Sequence, residues 1–238
     1  AVIDGQAANS GKSQYNNEGF FFRAQYDYEN RIFASVSYRL DASSRFHPDH
    51  RWGSFWSVGG GWLIDKEPWF PKTSWIDMLK VKASIGSQGN DNIGNFLYAD
   101  RYDISNSDGK VGVAFGAKGT KDITWETNTN FNAGFEFELF KRLSGGIEYY
   151  KRNTTDMLFS FSVAPSAGYT SYYDNVGDLF NDGIELELSY DIIKRRNINW
   201  NVFGNISTLR NRITMLHEDN KTTSYFDLEG NEYFGYTS

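Results

Sequence analysis

The sequence predicts an all-β fold, an antiparallel up-and-down transmembrane β-barrel segment of about eight strands. Three observations carry that expectation. Apolar and polar residues alternate with period two in run after run, most runs are about ten residues long, and the links between them alternate short and long.

The elements are expected in the following order. A first strand falls near 19–28, opened by Phe20-Phe21-Phe22, and a second near 32–41. In the second, Ile32, Ala34, Val36, Tyr38 and Leu40 alternate with Arg31, Ser35, Ser37, Arg39 and Asp41, interrupted only by Phe33. A third, near 53–64, carries Gly59-Gly60-Gly61, which strand curvature explains better than a phosphate cradle because no lysine follows. A fourth, near 78–87, sets Leu79, Val81, Ala83 and Ile85 against Lys80, Lys82 and Ser84. Near 125–139, Phe131, Ala133, Phe135, Phe137 and Leu139 alternate with Asn130, Asn132, Gly134, Glu136 and Glu138. Strands near 144–159, 183–192 and 198–208 complete the set. Ile184, Leu186, Leu188, Tyr190 and Ile192 give the seventh its apolar side, and Trp200, Val202 and Ile206 the eighth. Placed in a membrane, Phe131, Phe135, Phe137, Ile184, Leu186 and Leu188 face lipid.

Glu29-Asn30-Arg31, 65–77, 140–143 and 193–197 are the shorter links, whereas 42–52, 88–124, 160–182 and everything after 208 form the longer set. Outer-membrane barrels show this rhythm, with short periplasmic turns and long extracellular loops. The 65–77 link is an imperfect fit, and its Trp69, Phe70 and Trp75 with Pro68 and Pro71 suit an interfacial segment at headgroup level. A soluble sandwich or adhesin-type binding protein would also alternate, so alternation alone does not decide; strand length and loop rhythm favour the barrel.

Composition agrees and excludes. Aromatic residues reach 17% while hydrophobic residues total only 39%. Mean hydropathy is -0.56, which is neutral for a barrel because each strand shows lipid only every second residue. No apolar run approaches the ~20 residues of a membrane-spanning helix. There is no cysteine, which removes disulfides, thiolate metal sites and cysteine nucleophiles. A net charge of -6 without a basic stripe argues against nucleic acid as a partner. The N-terminal Ala1-Val2-Ile3-Asp4-Gly5-Gln6 has no signal-peptide pattern, so a leader was removed or the chain begins internally.

Several constellations could carry chemistry. His47-Pro48-Asp49-His50 offers two imidazoles and a carboxylate but no third ligand spacing, so a solvated loop is the expected reading and no metal or other cofactor is assigned. Glu136/Glu138 and Glu185/Glu187 are same-face carboxylate pairs near the separation glycosidases use, yet polar lining of a barrel lumen is routine, and no enzyme activity is expected. The Asn153-Thr154-Thr155 and Asn205-Ile206-Ser207 sequons are chance matches on this reading. The loops are more informative. Tyr169, Tyr172 and Tyr173 stand beside Asp174 and Asn175, and Phe96, Tyr98 and Tyr102 beside Asp91, Asn92 and Asp100. Rings stack while Asn and Asp hydrogen-bond, which suits polyhydroxylated or peptidic ligands; girdle packing or the docking of a partner lid fits equally. Tyr169, Tyr172, Tyr173, Asn175, Phe96, Tyr98, Asp91 and Asn92 are therefore the candidate ligand or partner residues.

A family resemblance enters with particular segments. Tyr26-Asp27-Tyr28-Glu29-Asn30-Arg31 is followed by Ser37-Tyr38-Arg39-Leu40-Asp41-Ala42-Ser43-Ser44-Arg45-Phe46 and Arg51-Trp52-Gly53-Ser54-Phe55-Trp56. Leu79-Lys80-Val81-Lys82, Gly89-Asn90-Asp91-Asn92-Ile93, Thr155-Asp156-Met157-Leu158 and Asn181-Asp182-Gly183-Ile184-Glu185 come after, in order. Together they make the chain resemble the SusC-like TonB-dependent outer-membrane receptors, specifically the C-terminal part of the barrel. Ala42 stands where that family usually has Gly, and Trp56 where Pro is common.

The resemblance implies a barrel of about 22 strands around a plugged lumen. Residues 1–238 would then be a partial barrel domain, with the plug and the remaining strands absent and Tyr236-Thr237-Ser238 ending inside a loop. It further implies TonB-driven import of glycan or peptide nutrients across the outer membrane of a Gram-negative cell. The implied partners are a SusD-like surface lipoprotein as lid, the TonB complex acting through the plug, and the lipid bilayer. The competing classes are a passive porin, a soluble β-sandwich or adhesin-type protein, and a glycosidase.

Overall fold

The computed structural model describes residues 13–107, 110–163, 165–169, 171–215, 222–226 and 232–236. Strands β1 (Asn17–Tyr28), β2 (Ile32–Ser43), β3 (Trp52–Leu63) and β4 (Ile76–Asn90) are followed by β5 (Arg101–Ser107) and β6 (Lys110–Ala117). Next come β7 (Glu126–Leu139), β8 (Leu143–Thr155), β9 (Leu158–Ser162), β10 (Ser171–Asn175), β11 (Asp178–Arg195) and β12 (Ile198–Ser207). The described chain ends with β13 (Arg210–Met215), β14 (Thr222–Phe226) and β15 (Glu232–Tyr236).

The eight strands expected from alternation form one antiparallel sheet in the order β1-β2-β3-β4-β7-β8-β11-β12, and it is open, with β1 and β12 at its edges. The expected strand near 144–159 ends at Thr155, where Asp156 turns the chain with positive φ before β9, and two elements extend furthest beyond the sequence pattern. β11 starts at Asp178 rather than near 183 and reaches Arg195, with a bulge between Asp191 and Ile193. β13 pairs with the early part of β11 in the same register that β12 keeps with its middle, Asp182 opposite Arg210 and Glu185 opposite Ser207. Thr208 bridges the gap, donating its backbone N–H to Ile184 O at 2.9 Å and accepting the Ile184 N–H on its Oγ1 at 3.0 Å. The stretch 198–215 therefore runs as one ribbon, where a loop after 208 was expected.

Cross-strand pairing sorts the side chains onto two faces. One row of directly opposed residues, Tyr28–Ile32–Trp62–Val81–Phe135–Ile147–Leu186–Ile206, crosses all eight strands and is apolar throughout. The next row, Asp27–Phe33–Gly61–Lys82–Gly134–Glu148–Glu185–Ser207, lies on the polar face. Phe33, the interruption in the sequence pattern, thus belongs to the polar side, opposite Gly61.

The apolar row begins at the last residue of β1 and ends eight residues into β12. At ~3.3 Å per residue and ~4.8 Å between strands, that climb over seven steps corresponds to a strand tilt of about 40°. Membrane barrels have tilts of this size.

The sheet is a single layer. The buried hydrophobic residues, Ala42, Phe46, Phe55, Ile93, Leu97, Ile123 and Phe161, do not include the apolar face, on which Phe135 is 43% exposed and Ile184 47%. A soluble sandwich would cover such a face with a second sheet. Among the described residues no second layer covers it.

Tight turns close one rim. Glu29 and Asn30 both have positive φ, as do Phe140 and Lys141, the conformation of two-residue hairpin turns whose twist matches the flanking strands. Asp27 and Asp77 hold these turns by accepting the backbone N–H of Asn30 and of Lys141. The longer link on this rim folds back on itself. Glu67 accepts from Trp62 Nε1 at 2.9 Å and pairs with Arg31 at 3.1 Å, while Trp69 rests edge-on against Trp62.

Candidate ligand and partner surface of the long loops

The opposite rim carries the candidate residues. The long links contain paired strands of their own: β5 with β6, β9 with β10, and β14 with β15. Two of these hairpins stand on a small apolar floor. Phe46 and Ile123 are fully buried, Ile93 and Leu97 nearly so, and Tyr98, Trp125, Leu158 and Tyr173 pack against them. Trp125 lies between Phe46 and Phe55, at centroid distances of 5.3 and 5.4 Å, and donates its indole N–H to Arg51 O.

Polar bonds tie the floor to the strands. Asp91 accepts hydrogen bonds from Ser43 Oγ at 2.7 Å and Tyr15 OH at 2.9 Å, and its carbonyl accepts from Arg45 Nη1 at 2.7 Å. Burial, followed by the bond to Asp91, pushes the Tyr15 hydroxyl above its ordinary pKa and so favours the neutral, donating phenol. Asn175 clips two loops together: its Nδ2 donates to Thr124 O at 2.9 Å and Asp156 O at 2.8 Å, and its Oδ1 accepts Thr124 N–H at 2.7 Å. All of its carboxamide groups are thus engaged within the protein.

The sequence candidates divide into two groups. Asp91, Asn175, Tyr98 and Tyr173 sit in the floor and its bonds. Phe96 is 48% exposed with φ at +61°, and Asn92 is exposed, its backbone N–H donated to Asn90 Oδ1. Tyr169 and Tyr172 belong to a string of rings that joins the two hairpins. Tyr102 meets Phe115 at 5.5 Å, Phe115 meets Tyr169 at 6.0 Å, Tyr169 meets Tyr172 at 6.4 Å, and Tyr172 meets Phe161 at 5.4 Å. The Lys118 ammonium lies 5.6 Å from the Tyr169 ring centre and 5.8 Å from that of Tyr172. Rings flanked by a cation present flat apolar faces beside a strong donor, a combination that suits sugars and peptide groups.

Sequence reading missed Lys118, Phe115 and Phe161. The signal for Phe115 was present, because Val111, Val113 and Phe115 alternate with Lys110, Gly112 and Ala114.

The other constellations resolve into pairs. His47 Nδ1 faces Asp49 at 3.2 Å and His50 Nε2 faces Asp122 at 3.3 Å, so the two imidazoles have separate carboxylates. On the polar face, Glu136 is held by Lys80 and Lys82 at 3.1 and 3.0 Å, and Lys82 also binds Glu148 at 2.7 Å.

This architecture has close counterparts. The sequence profile of the TonB dependent receptor-like, beta-barrel family matches residues 2–236. The chain belongs to that family. A TonB-dependent receptor SusC of Bacteroides thetaiotaomicron is 31% identical over 207 residues, 83% of this chain and 21% of the relative. A TonB-dependent receptor of Formosa agariphila is 29% identical over 221 residues, 90% of this chain and 21% of its own. Among solved structures, the RagAB peptide transporter superposes with a TM-score of 0.82 at 31% identity, covering 87% of this chain and 23% of that one. The chain therefore spans about a fifth of the length of the curated relatives it matches. Membership makes the apolar face the outward one and the polar face the lumen lining, the arrangement of outer-membrane barrels.

Proposed function

We propose that this segment is part of a plugged outer-membrane importer that takes up oligosaccharides or peptides by TonB-driven transport, with a SusD-like surface lipoprotein as lid. The observation that carries the reading is the family match over 2–236 combined with the continuous apolar row across all eight strands. The protein acts by transport, without bond-making chemistry, and it sits in the outer membrane with its short turns in the periplasm. The lid and the ligand meet the string of rings at the long-loop rim, where Tyr169, Tyr172, Phe96 and Asn92 are the contact residues and Tyr98, Tyr173, Asp91 and Asn175 hold the loops that present them.

Uptake of labelled oligosaccharides and peptides tests this in the source bacterium, compared among the parent, a deletion of this receptor, and a strain without TonB. Loss in both mutants is expected. Uptake that persists without TonB and follows the ligand gradient would make the protein a passive porin. The double variant Tyr169→Ala/Tyr172→Ala tests the rim, because it spares Tyr173 and the floor. It should weaken ligand or lid binding by a few kcal/mol while the barrel still assembles. Unchanged uptake and unchanged lid affinity would reduce these tyrosines to loop packing.

A further inference from the structure

The outward face of β8, β11 and β12 carries no Asp, Glu, Lys or Arg between its two ends. From the short-turn side it reads Leu143, Gly145, Ile147 and Tyr149 in β8, Tyr190, Leu188, Leu186 and Ile184 in β11, and Ile198, Trp200, Val202, Gly204 and Ile206 in β12. Charge returns abruptly toward the long loops. Lys151, Asp182 and Arg210 form the next cross-strand row on that face, and Arg212 follows, opposite Phe180. At the other end the face stops at Arg195. From Asp182 to Arg195, at ~3.3 Å per residue and ~40° tilt, is about 33 Å of membrane normal, close to a ~25 Å apolar band with its interfaces. Charges on a lipid-facing strand are costly at midplane and tolerated at the headgroup level, so this spacing puts Lys151, Arg210 and Arg212 among headgroups.

The cluster is organised. Arg210 grips Asp182 with two bonds of 2.7 Å, which orients its guanidinium. The Phe180 ring lies beneath two cations, 5.0 Å from Lys151 Nζ and 5.9 Å from Arg210 Cζ. Lys151, Arg210 and Arg212 all act on the Asp182 carboxylate, Asn153 stands opposite Phe180, and the apolar residues Tyr149, Ile184 and Ile206 begin directly below.

We propose that Lys151, Arg210 and Arg212 around Phe180 bind the phosphate of a phosphorylated glycolipid of the outer leaflet, whose acyl chains lie along Tyr149, Ile184 and Ile206. Two features favour this occupant over a protein partner. The charge is complementary to phosphate, and the site is continuous with the lipid-facing belt. Its position on the long-loop side selects the outer leaflet.

The inference rests on the membrane placement proposed above, and the test separates the two. The intact receptor, purified in a neutral detergent, is titrated with purified lipid A and with the same lipid after phosphatase treatment, and bound lipid is counted by native mass spectrometry. Lys151→Gln/Arg212→Gln leaves the Arg210–Asp182 pair in place and should weaken lipid A binding roughly thirtyfold. Lys151→Arg/Arg212→Lys should restore it. Arg101→Gln/Lys110→Gln, in the β5–β6 hairpin, should leave it unchanged, and excess inorganic phosphate should fail to displace the lipid. Equal affinity of the glutamine variant and the parent, equal affinity for dephosphorylated lipid, or displacement by free phosphate would overturn the site. A receptor that does not insert into bilayers would instead overturn the membrane placement.

Discussion

Replacing Asn175 by alanine isolates the role of the clip between two long loops. The substitution removes three hydrogen bonds of 2.7, 2.8 and 2.9 Å and leaves the Thr124 N–H without its acceptor. At about 0.5–1.5 kcal/mol per bond, the loops lose roughly 2–4 kcal/mol of local stability. Because strands β7, β8 and β11 keep their own ladders, the loss falls on local opening and leaves global assembly unchanged. Hydrogen exchange on the intact receptor reads this directly. Peptides covering 118–125 and 156–163 should exchange at least about thirtyfold faster, while β7 and β8 keep their protection. Asn175→Asp keeps the acceptor and loses both donors, so it should show a similar loosening. Unchanged exchange in both variants would refute the clip and return Asn175 to the pool of ligand contacts.

Three other perturbations test separate parts of the argument. Phe135→Arg puts a charge into the apolar row between Val81 and Ile147 and should destabilise the assembled barrel by about 2–4 kcal/mol, measured by urea titration of the folded form in lipid vesicles; a neutral result would remove Phe135 from the lipid. Gly89→Ala should cost about 1–3 kcal/mol, because the new Cβ would stand 2.0 Å from Phe55 Cζ, a ring backed by Trp125; wild-type stability in the same titration would show that the ring moves freely. Phe46→Ala should cost about 3–5 kcal/mol locally by emptying the fully buried centre of the rim floor, seen as protease cutting within 91–125; resistance equal to the parent would mean that the floor does not hold the loops.

The sheet was legible because its outward and inward environments differ sharply, and period two records that difference residue by residue. The strand at 130–139 shows it best, since every Phe falls on one side and every Glu on the other. Legibility failed where the environment changes. Asp178, Asn181 and Asp182 look like loop, yet they continue β11 beyond the apolar belt, where a strand no longer needs lipid-facing hydrophobes. The bulge near Ile192 has no sequence mark, because Ile192 and Ile193 are both apolar and either could face out. The β5–β6 hairpin was marked by Asp108-Gly109 between two alternating runs, a strong turn signal that the length of the link concealed. At the rim, residue type announced a polar surface rich in rings but not the division of labour. Asn175 and Asp91 read like ligand donors, and only three-dimensional pairing shows where their bonding capacity goes.

The climb of the apolar row also has a mechanical meaning. Hydrogen bonds between strands run perpendicular to the chain, so at a tilt of about 40° a tangential tension on the wall divides into a fraction of about 0.77 across the hydrogen bonds and about 0.64 along the covalent backbone. An upright strand would place the whole load on the hydrogen bonds. In this wall a swelling of the bore must also slide neighbouring strands lengthwise, which moves Phe135 past Val81 and Ile147 and Lys82 past Glu136 and Glu148. The wall is therefore cross-braced like a basket weave, and any stretching of it must shear neighbouring strands lengthwise as well as load the seams between them.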